Sequence, residues 1–215
     1  MDREELQNLR QDYTAASLSE KDSSADPIQQ FDSWFNQAVE AKVLEPNAMT
    51  LSTATHDGRP SGRIVLLKGY DKEGFSFYTN YLSRKGKEIA KNPLGALTFF
   101  WGELERQVRI EGTIEKLSKE QSEAYFHSRP KSSQIGAVVS PQSQEVGSRG
   151  ELDGRMVKME NEYKDKEIPK PAHWGGYVLK PRVIEFWQGR PSRLHDRIVY
   201  KKVDNKTWKK VRLAP

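Results

Sequence analysis

Apolar residues recur at two different spacings along this chain, and the change of period marks out its elements. In "ADPIQQFDSWFNQAVEA", Ile28, Phe31, Trp34, Phe35, Ala38 and Val39 follow helical spacing, with Asp26 at the capping position and Pro27 at the first helical residue. That pattern predicts a helix with one face on a core. From "AMTLSTAT" onward the segments are short and rich in β-branched and aromatic residues: "RIVLLKGY", "FSFYTN", "GALTFFW" and "RQVRIEGTIEKL", punctuated by "HDGRPSG", "DKEG" and "GELE". These read as strands in a meander. Ser83 can cap a helix over "RKGKEIAKN". Helical pieces follow at "SKEQSEAYFHS" and "SSQIGAVVS", broken by Pro130, then a charged helix "ELDGRMVKMENEYKDK" with Met156 and Met159 on one side. Three closing strands are expected at "YVLKP", "VIEFWQG" and "RLHDRIVYKK", with "WKKVRL" paired across "DNKT". Many antiparallel strands with few peripheral helices predict a mainly β (α+β) closed or split barrel rather than a doubly wound sheet. Residues 1–24, with a short polar helix in "ELQNLRQDY", form an arm that is mobile unless it docks, and 25–215 form a single domain.

Composition narrows the partners more than the fold. The 215 residues contain no Cys, which excludes disulfides and thiolate metal sites and fits a reducing, cytoplasmic setting. No signal-like or membrane-spanning apolar run is present, so no membrane partner is expected. The formal net charge of +5 leaves both phosphorylated small molecules and nucleic acid open. A nucleic-acid-binding barrel would want one contiguous basic and aromatic face. Here the basic residues fall in separate motifs with Ser, Thr and Gln, as a shaped pocket would have them.

The familiar catalytic constellations are missing: there is no P-loop, GxGxxG, GxSxG or HExxH, and His56, His127, His173 and His195 have no metal-ligand spacing. What remains is a set of basic and hydroxyl clusters at strand ends and helix starts, where phosphates bind. Arg63 to Lys68 has charged ends and an aliphatic middle that reads as buried strand. Tyr78 and Thr79 end a strand just before Ser83, Arg84 and Lys85 open a helix, a place that favours an anion. Gln107 sits within a strand, where a buried amide needs partners. Tyr125, Arg129 and Ser133 are four apart and align if the helix continues past Pro130, a trio suited to a phosphate dianion or to a capped helix turn. Gln142 and Ser143 are loop-like. In "RLHDR", an extended backbone places Arg193, His195 and Arg197 on one face. A solvated strand face would account for that stripe, yet such close cations repel unless an anion covers them.

Taken in order, "RIVLLKGY", "FYTNYLSRKGKE", "ERQVRIEG", "YFHSRPKSSQIGAVVSPQS", "HWGGY", "EFWQGRPSRLHDR" and the terminal "RLAP" resemble the pyridoxine (pyridoxamine) 5′-phosphate oxidase family. The resemblance runs from the arm to Pro215. It implies a homodimeric, antiparallel Greek-key split β-barrel with FMN at the subunit interface. The implied activity oxidises pyridoxine 5′-phosphate or pyridoxamine 5′-phosphate to pyridoxal 5′-phosphate, by hydride transfer from C4′ to flavin N5, with O2 reduced to hydrogen peroxide. It places flavin contacts at Arg63, Ile64, Val65, Leu66, Leu67, Lys68, Tyr78, Thr79, Arg84, Lys85, Gln107, Gln142, Ser143, Trp187 and Arg197. Substrate contacts fall on Lys68, Tyr125, Arg129, Ser133, Arg193 and His195, with Arg193 and His195 closest to the chemistry and Arg10 to Tyr13 as a candidate lid. No metal is implied. A non-catalytic flavin- or phosphate-binding barrel is the competing expectation, and peroxide release on addition of pyridoxine 5′-phosphate separates the two.

Overall fold

The structure, a computed structural model, describes residues 2–9, 12–204 and 207–215. Arg10, part of the candidate lid, and Asn205 and Lys206 of the "DNKT" turn lie outside the described residues. The helices are α1 (Arg3–Asn8), α2 (Pro27–Glu40), α3 (Arg84–Lys91), α4 (Lys119–Ser128), α5 (Lys131–Val139) and α6 (Arg149–Glu162). The strands are β1 (Ala48–Ala54), β2 (Pro60–Leu66), β3 (Gly69–Asp71), β4 (Gly74–Asn80), β5 (Leu94–Trp101), β6 (Arg106–Lys116), β7 (Trp174–Gln188), β8 (Asp196–Lys202) and β9 (Trp208–Arg212). They hydrogen-bond in the order β2-β1-β5-β6-β7-β4-β3, with β8 on β7 and β9 on β8. The hairpins β1–β2 and β3–β4 match a meander, but β2 and β3 do not pair, so the meander breaks between them.

The chain folds into two compact units, each assembled from segments distant in sequence. The first comprises residues 1–50, 96–111 and 181–215; the second comprises 51–95 and 112–180. In the first unit, Asp26 accepts from the Ile28 N–H and caps α2, whose Phe31 and Trp34 pack on Phe99 and Phe186 at ring-centroid distances of 5.2 and 5.3 Å. Val39 is exposed rather than part of that face. In the second unit, Phe75 and Phe77 of β4 and Tyr177 and Leu179 of β7 are buried. There α4 and α5 join a cluster of Phe126, Ile135, Ile168 and Trp174, with Met156 and Met159 of α6 packed against it.

Three further sequence expectations change. "YVLKP" and "VIEFWQG" form one strand, β7, running through Pro181. Its first part pairs with β4 at 174–179 and its last part with β8 at 183–188, so the proline falls where the strand changes partner. "RLHDR" is not a strand: Pro191–Arg193 form a turn, Ser192 and Arg193 have φ of 56° and 61°, and β8 begins only at Asp196. A left-handed turn cancels the period-two argument for Arg193 and His195, leaving only Arg197 on the strand. Arg63 to Lys68 is not a buried strand, because β2 ends at Leu66 and Ile64 is 65% exposed. Among the described residues β2 hydrogen-bonds to one strand, β1, so its aliphatic residues are not enclosed as those of a central strand would be. The break expected at Pro130 is present: α4 stops at Ser128, and Arg129 is extended (φ −78°, ψ 151°) before Pro130, as the proline ring demands of its predecessor, so Tyr125, Arg129 and Ser133 do not share one helix.

Candidate functional site

Although the helix breaks at Pro130, the break brings Tyr125, Arg129 and Ser133 to one place. They line a cleft of about 630 Å³ in the second unit, together with Ile64, Val65, Leu66 and Lys68 after β2, Tyr78 and Thr79 of β4, Lys85 of α3, and Gln142. Asn80, Trp174 and the α5 face at Gly136 and Ala137, which the residue patterns do not mark, complete the wall. The Tyr78 and Tyr125 rings stack at 3.9 Å between centroids, and Trp174 extends the stack 5.6 Å from Tyr78. Burial, then the neighbouring Tyr125 and Tyr81, raises the Tyr78 pKa, so its phenol stays protonated.

Of the three cations that line this cleft, Lys68, Lys85 and Arg129, the last two are buried or half-buried in its wall with no carboxylate partner among the described residues. Lys85 Nζ donates to Thr79 Oγ1 at 3.1 Å and Gln142 Oε1 at 3.0 Å, both neutral oxygens. Burial, and then the Arg63 charge, pulls its pKa down. Ser83 caps α3 through the Gly86 N–H, and a Cβ on Gly86 would stand 2.2 Å from the Tyr81 carbonyl oxygen, so the helix start lies hard against the preceding turn. Arg129 is braced by cation–π contact with Trp174 (4.7 Å) and by donation from Nη2 to the Ser133 carbonyl (2.8 Å). Its Nη1 is buried without a hydrogen-bond partner among the described residues. Burial lowers its pKa from the ordinary arginine range, an effect that the nearby Tyr125 opposes. An orphaned donor on a buried cation calls for an acceptor from a ligand.

Several expected contacts lie elsewhere. Arg63 turns back into the protein, where Nη1 donates to the Leu51 carbonyl at 3.1 Å and Nη2 meets Glu88 Oε2 at 3.2 Å. Arg84 also binds Glu88, through Nε at 2.9 Å. Burial pushes the Glu88 pKa up, but hydrogen bonds from Thr53, Ser61 and Arg84 and the Arg63 charge together bring it down to about 2. Arg84 and Ser143 line a second depression of the same unit with Thr55, His56 and Lys87. Leu67 is buried core.

The remaining candidates belong to the first unit. Gln107 is half-buried in β6, and Trp187 of β7 stands opposite Arg197 of β8 in the strand register. Arg193 is exposed on the turn. His195 Nδ1 accepts a hydrogen bond from the Arg190 backbone N–H at 3.1 Å, which leaves the proton of the neutral ring on Nε2. Burial, reinforced by the Arg193 charge, lowers its pKa and favours that neutral form. The arm is docked in this unit. Tyr13 lies edge-on to Trp187 and His195, each at 5.7 Å between centroids. Ala15 N–H donates to Glu105 Oε2 at 2.9 Å and Leu18 N–H to Asp196 Oδ2 at 3.0 Å. A Cβ on Gly189 would fall 2.7 Å from Tyr13 Cγ, so only glycine admits the arm so closely.

Comparison with known proteins agrees over almost the whole chain. Residues 35–162 match the family model described as pyridoxamine 5′-phosphate oxidase, and residues 174–215 match the pyridoxine 5′-phosphate oxidase C-terminal dimerisation region. The chain is 56% identical to a pyridoxine/pyridoxamine 5′-phosphate oxidase of Leptospira interrogans over 210 residues, covering 98% of each. It is 56% identical to one from Salinibacter ruber over 212 residues, covering 98% of this chain and 99% of that protein. Among solved structures, PhzG from Burkholderia lata in complex with tetrahydrophenazine-1-carboxylic acid is 30% identical with a TM-score of 0.87, covering 94% of this chain and 99% of that one. A pyridoxamine 5′-phosphate oxidase-related, FMN-binding protein from Nostoc punctiforme shares the fold at 15% identity, with a TM-score of 0.70 over 89% of this chain and 100% of that one.

Proposed function

Because this chain belongs to the pyridoxine/pyridoxamine 5′-phosphate oxidase family, we propose that the second-unit cleft holds both FMN and the vitamin phosphate, with the substrate phosphate on Arg129, Tyr125 and Ser133. The protein oxidises pyridoxine 5′-phosphate or pyridoxamine 5′-phosphate to pyridoxal 5′-phosphate and uses FMN and O2, on the family's split-barrel fold and as a homodimer. The observation that carries the substrate assignment is the buried, unpartnered Nη1 of Arg129: a phosphate dianion supplies the acceptors it lacks. The same cleft fits FMN by the chemistry of its donors. Lys85, Thr79 and Gln142 offer a cation and polar groups, while Ile64, Val65 and Leu66 offer an apolar wall.

When bound, FMN supplies at N5 the acceptor for the hydride leaving C4′ and returns the electrons to O2 as hydrogen peroxide. The chain's own residues align and polarise. Arg129 and Lys68 draw the phosphorylated substrate into register, and the aromatic stack behind Tyr125 fixes the wall it meets. With FMN at the subunit interface, Gln107, Trp187, Arg193, His195 and Arg197 serve the same pair of ligands; Arg193 to Arg197 lies within the matched dimerisation region. Tyr13, resting on His195, is the lid residue of this reading. The division into an arm at 1–24 and one FMN-binding domain at 25–215 belongs to the same proposal, as does a cytoplasmic location, in keeping with a chain free of cysteine. No helix among the described residues is long and apolar enough to cross a membrane.

His195 acts in this scheme as a donor through Nε2, because Nδ1 is already accepting from Arg190. His195→Gln places an amide N–H where Nε2–H stood and is expected to keep activity within about tenfold, whereas His195→Leu loses more. Protonation would cost the ring its bond from Arg190 and set it against the Arg193 cation, with Tyr13 edge-on to it, Trp187 tilted against it at 4.6 Å between centroids, and the Arg190–Asp196 pair flanking it in sequence. The folded-state pKa is lowered, so the neutral ring is complete above the ordinary histidine range and is lost as pH falls through the lowered value. An acidic limb in kcat/KM that disappears in His195→Gln would bear this out; an unchanged limb would assign it to another group.

FMN binding itself is open to a simple check. A ligand of the folded state alone adds about 2.7 kcal/mol at a hundredfold excess over its Kd, so the melting temperature is expected to climb with FMN concentration. Equal melting temperatures with and without FMN would count against a flavin site. Release of peroxide on adding pyridoxine 5′-phosphate to the FMN-loaded protein tests the oxidase activity directly.

A further inference from the structure

One carboxylate in the first unit is placed where a charge is costly. Glu185 lies in the middle of β7 between Ile184 and Phe186, both fully buried, and is itself only 3% exposed. The register pairs Glu185 with Val199 and Trp187 with Arg197, so Glu185 and Arg197 are diagonal neighbours on one face of the β7–β8 ladder. Glu185 Oε1 accepts from Arg197 Nε at 3.2 Å, and Oε2 accepts from Arg197 Nη2 at 2.9 Å. The same Oε2 accepts from Arg109 Nη2 at 2.8 Å, and Arg109 Nη1 reaches Glu111 at 2.7 Å. A third hold on Arg197 comes from the chain's end: Nη1 donates to the Ala214 carbonyl at 2.8 Å, and Leu213 N–H returns a bond to the Arg197 carbonyl at 3.0 Å.

We infer that Glu185, with the Ala214 carbonyl as a second stop, is a positioning residue for the cofactor: it locks the plane of the Arg197 guanidinium so that the free part of its fork meets FMN. This rests on the reading that Arg197 is a flavin contact. Three points favour it over a plain ion-pair staple between strands. Arg197 keeps a quarter of its side chain exposed while two edges of its guanidinium are clamped, so N–H groups remain for a ligand and their direction is set in advance. A planar fork held at both edges gives direction, which a flexible lysine cannot. Arg109 is the second cation that a buried carboxylate needs when its first partner also serves a ligand. Burial raises the Glu185 pKa, but the hydrogen bonds and charges of Arg197 and Arg109 outweigh it and the net shift is downward, in keeping with an ionised bracket.

The experiment compares wild type, Glu185→Gln, Arg197→Ala and the double variant as purified full chains, reading FMN Kd by fluorescence quenching, the visible flavin spectrum and midpoint potential, and the urea midpoint of the apo-protein. Glu185→Gln is expected to raise the FMN Kd about tenfold. It should also move the flavin spectrum and potential in the same direction as Arg197→Ala, with the double variant no worse than Arg197→Ala alone. If Arg197→Ala weakens FMN but Glu185→Gln only lowers the urea midpoint, or adds its full effect on top of Arg197→Ala, Glu185 is a structural staple and the inference is overturned. If Arg197→Ala itself leaves Kd, spectrum and potential unchanged, the flavin-contact reading of Arg197 fails, and the inference with it. Should Glu185→Gln not fold, Glu185→Asp keeps the charge on a shorter arm and is expected to give an intermediate Kd with the same spectral shift. A wild-type Kd and spectrum in that variant would overturn the inference equally.

Discussion

Arg129→Ala is expected to raise the Michaelis constant for pyridoxine 5′-phosphate about tenfold to a hundredfold while the protein keeps a near-normal complement of FMN. The size follows from removing a charge-assisted hydrogen bond, worth roughly 1.5–3 kcal/mol, at a site where the donor is already buried and held. Trp174 under the guanidinium and the bond to the Ser133 carbonyl keep the side chain in place before any ligand arrives, so the phosphate gains a pre-set donor. The backbone around it is secured separately, because Gln134 Nε2 donates to the Arg129 carbonyl at 2.8 Å, and truncating the side chain leaves that bond intact. Arg129→Lys should recover only part of the loss, since an ammonium on a flexible stem cannot both stack on Trp174 and present a fork to phosphate. Substrate saturation curves and flavin absorbance per subunit decide the matter: lost flavin with an unchanged Michaelis constant would move Arg129 to the cofactor.

Arg197→Ala is expected to do the opposite, weakening FMN retention and leaving activity that added FMN partly restores. Its guanidinium is bonded on one side to Glu185 and on another to the Ala214 carbonyl, so its removal takes away the fork and frees the last residues of the chain. Arg109 remains on Glu185, which spares the buried carboxylate from being left wholly unpaired and should let the variant fold. Arg197→Lys is expected to behave nearly as poorly as alanine in FMN binding, because one ammonium cannot reproduce both clamped edges. Gel filtration followed by flavin fluorescence measures retention. A variant that keeps its FMN and changes only substrate saturation would exchange the roles of the two arginines.

Helix starts are legible in the sequence because capping is local chemistry: Asp26 with Pro27, and Ser83, each stand where their helices begin. Alternation is less trustworthy. "RLHDR" alternates as a strand would, yet the left-handed φ at Ser192 and Arg193 belongs to a turn whose shape depends on the Arg190–His195 bond, a contact that residue types do not announce. Tyr125, Arg129 and Ser133 do come together, but not for the reason their spacing suggests. The spacing would align them only on a continuous helix; the break that Pro130 itself announces brings them to one cleft instead. Ile64 and Leu66 read as core from their aliphatic character, and that reading fails on a strand that, among the described residues, hydrogen-bonds to one other. Glu88 and Glu185, which hold the arginines, escape a search for ligand contacts, although Glu185 does carry a signal: a carboxylate inside an apolar strand needs a paired cation, and "VIEFW" displays one. Which candidates fall in which unit is not legible at all, because strands such as β6 and β7 pass from one unit to the other without a change of pattern.

That interleaving bears on how the protein is made. The first unit begins with residues 1–50 but needs 181–215 to be complete, and at about 5–20 residues per second the ribosome takes roughly 7–26 s to bridge the gap. Throughout that interval Phe31 and Trp34 of α2 have been synthesised while Phe186, against which Trp34 packs, does not yet exist. A nascent chain with aromatic surface waiting for its far end is a natural client for chaperones, and one whose yield should suffer most from anything that stalls translation between the second unit and the final thirty or so residues.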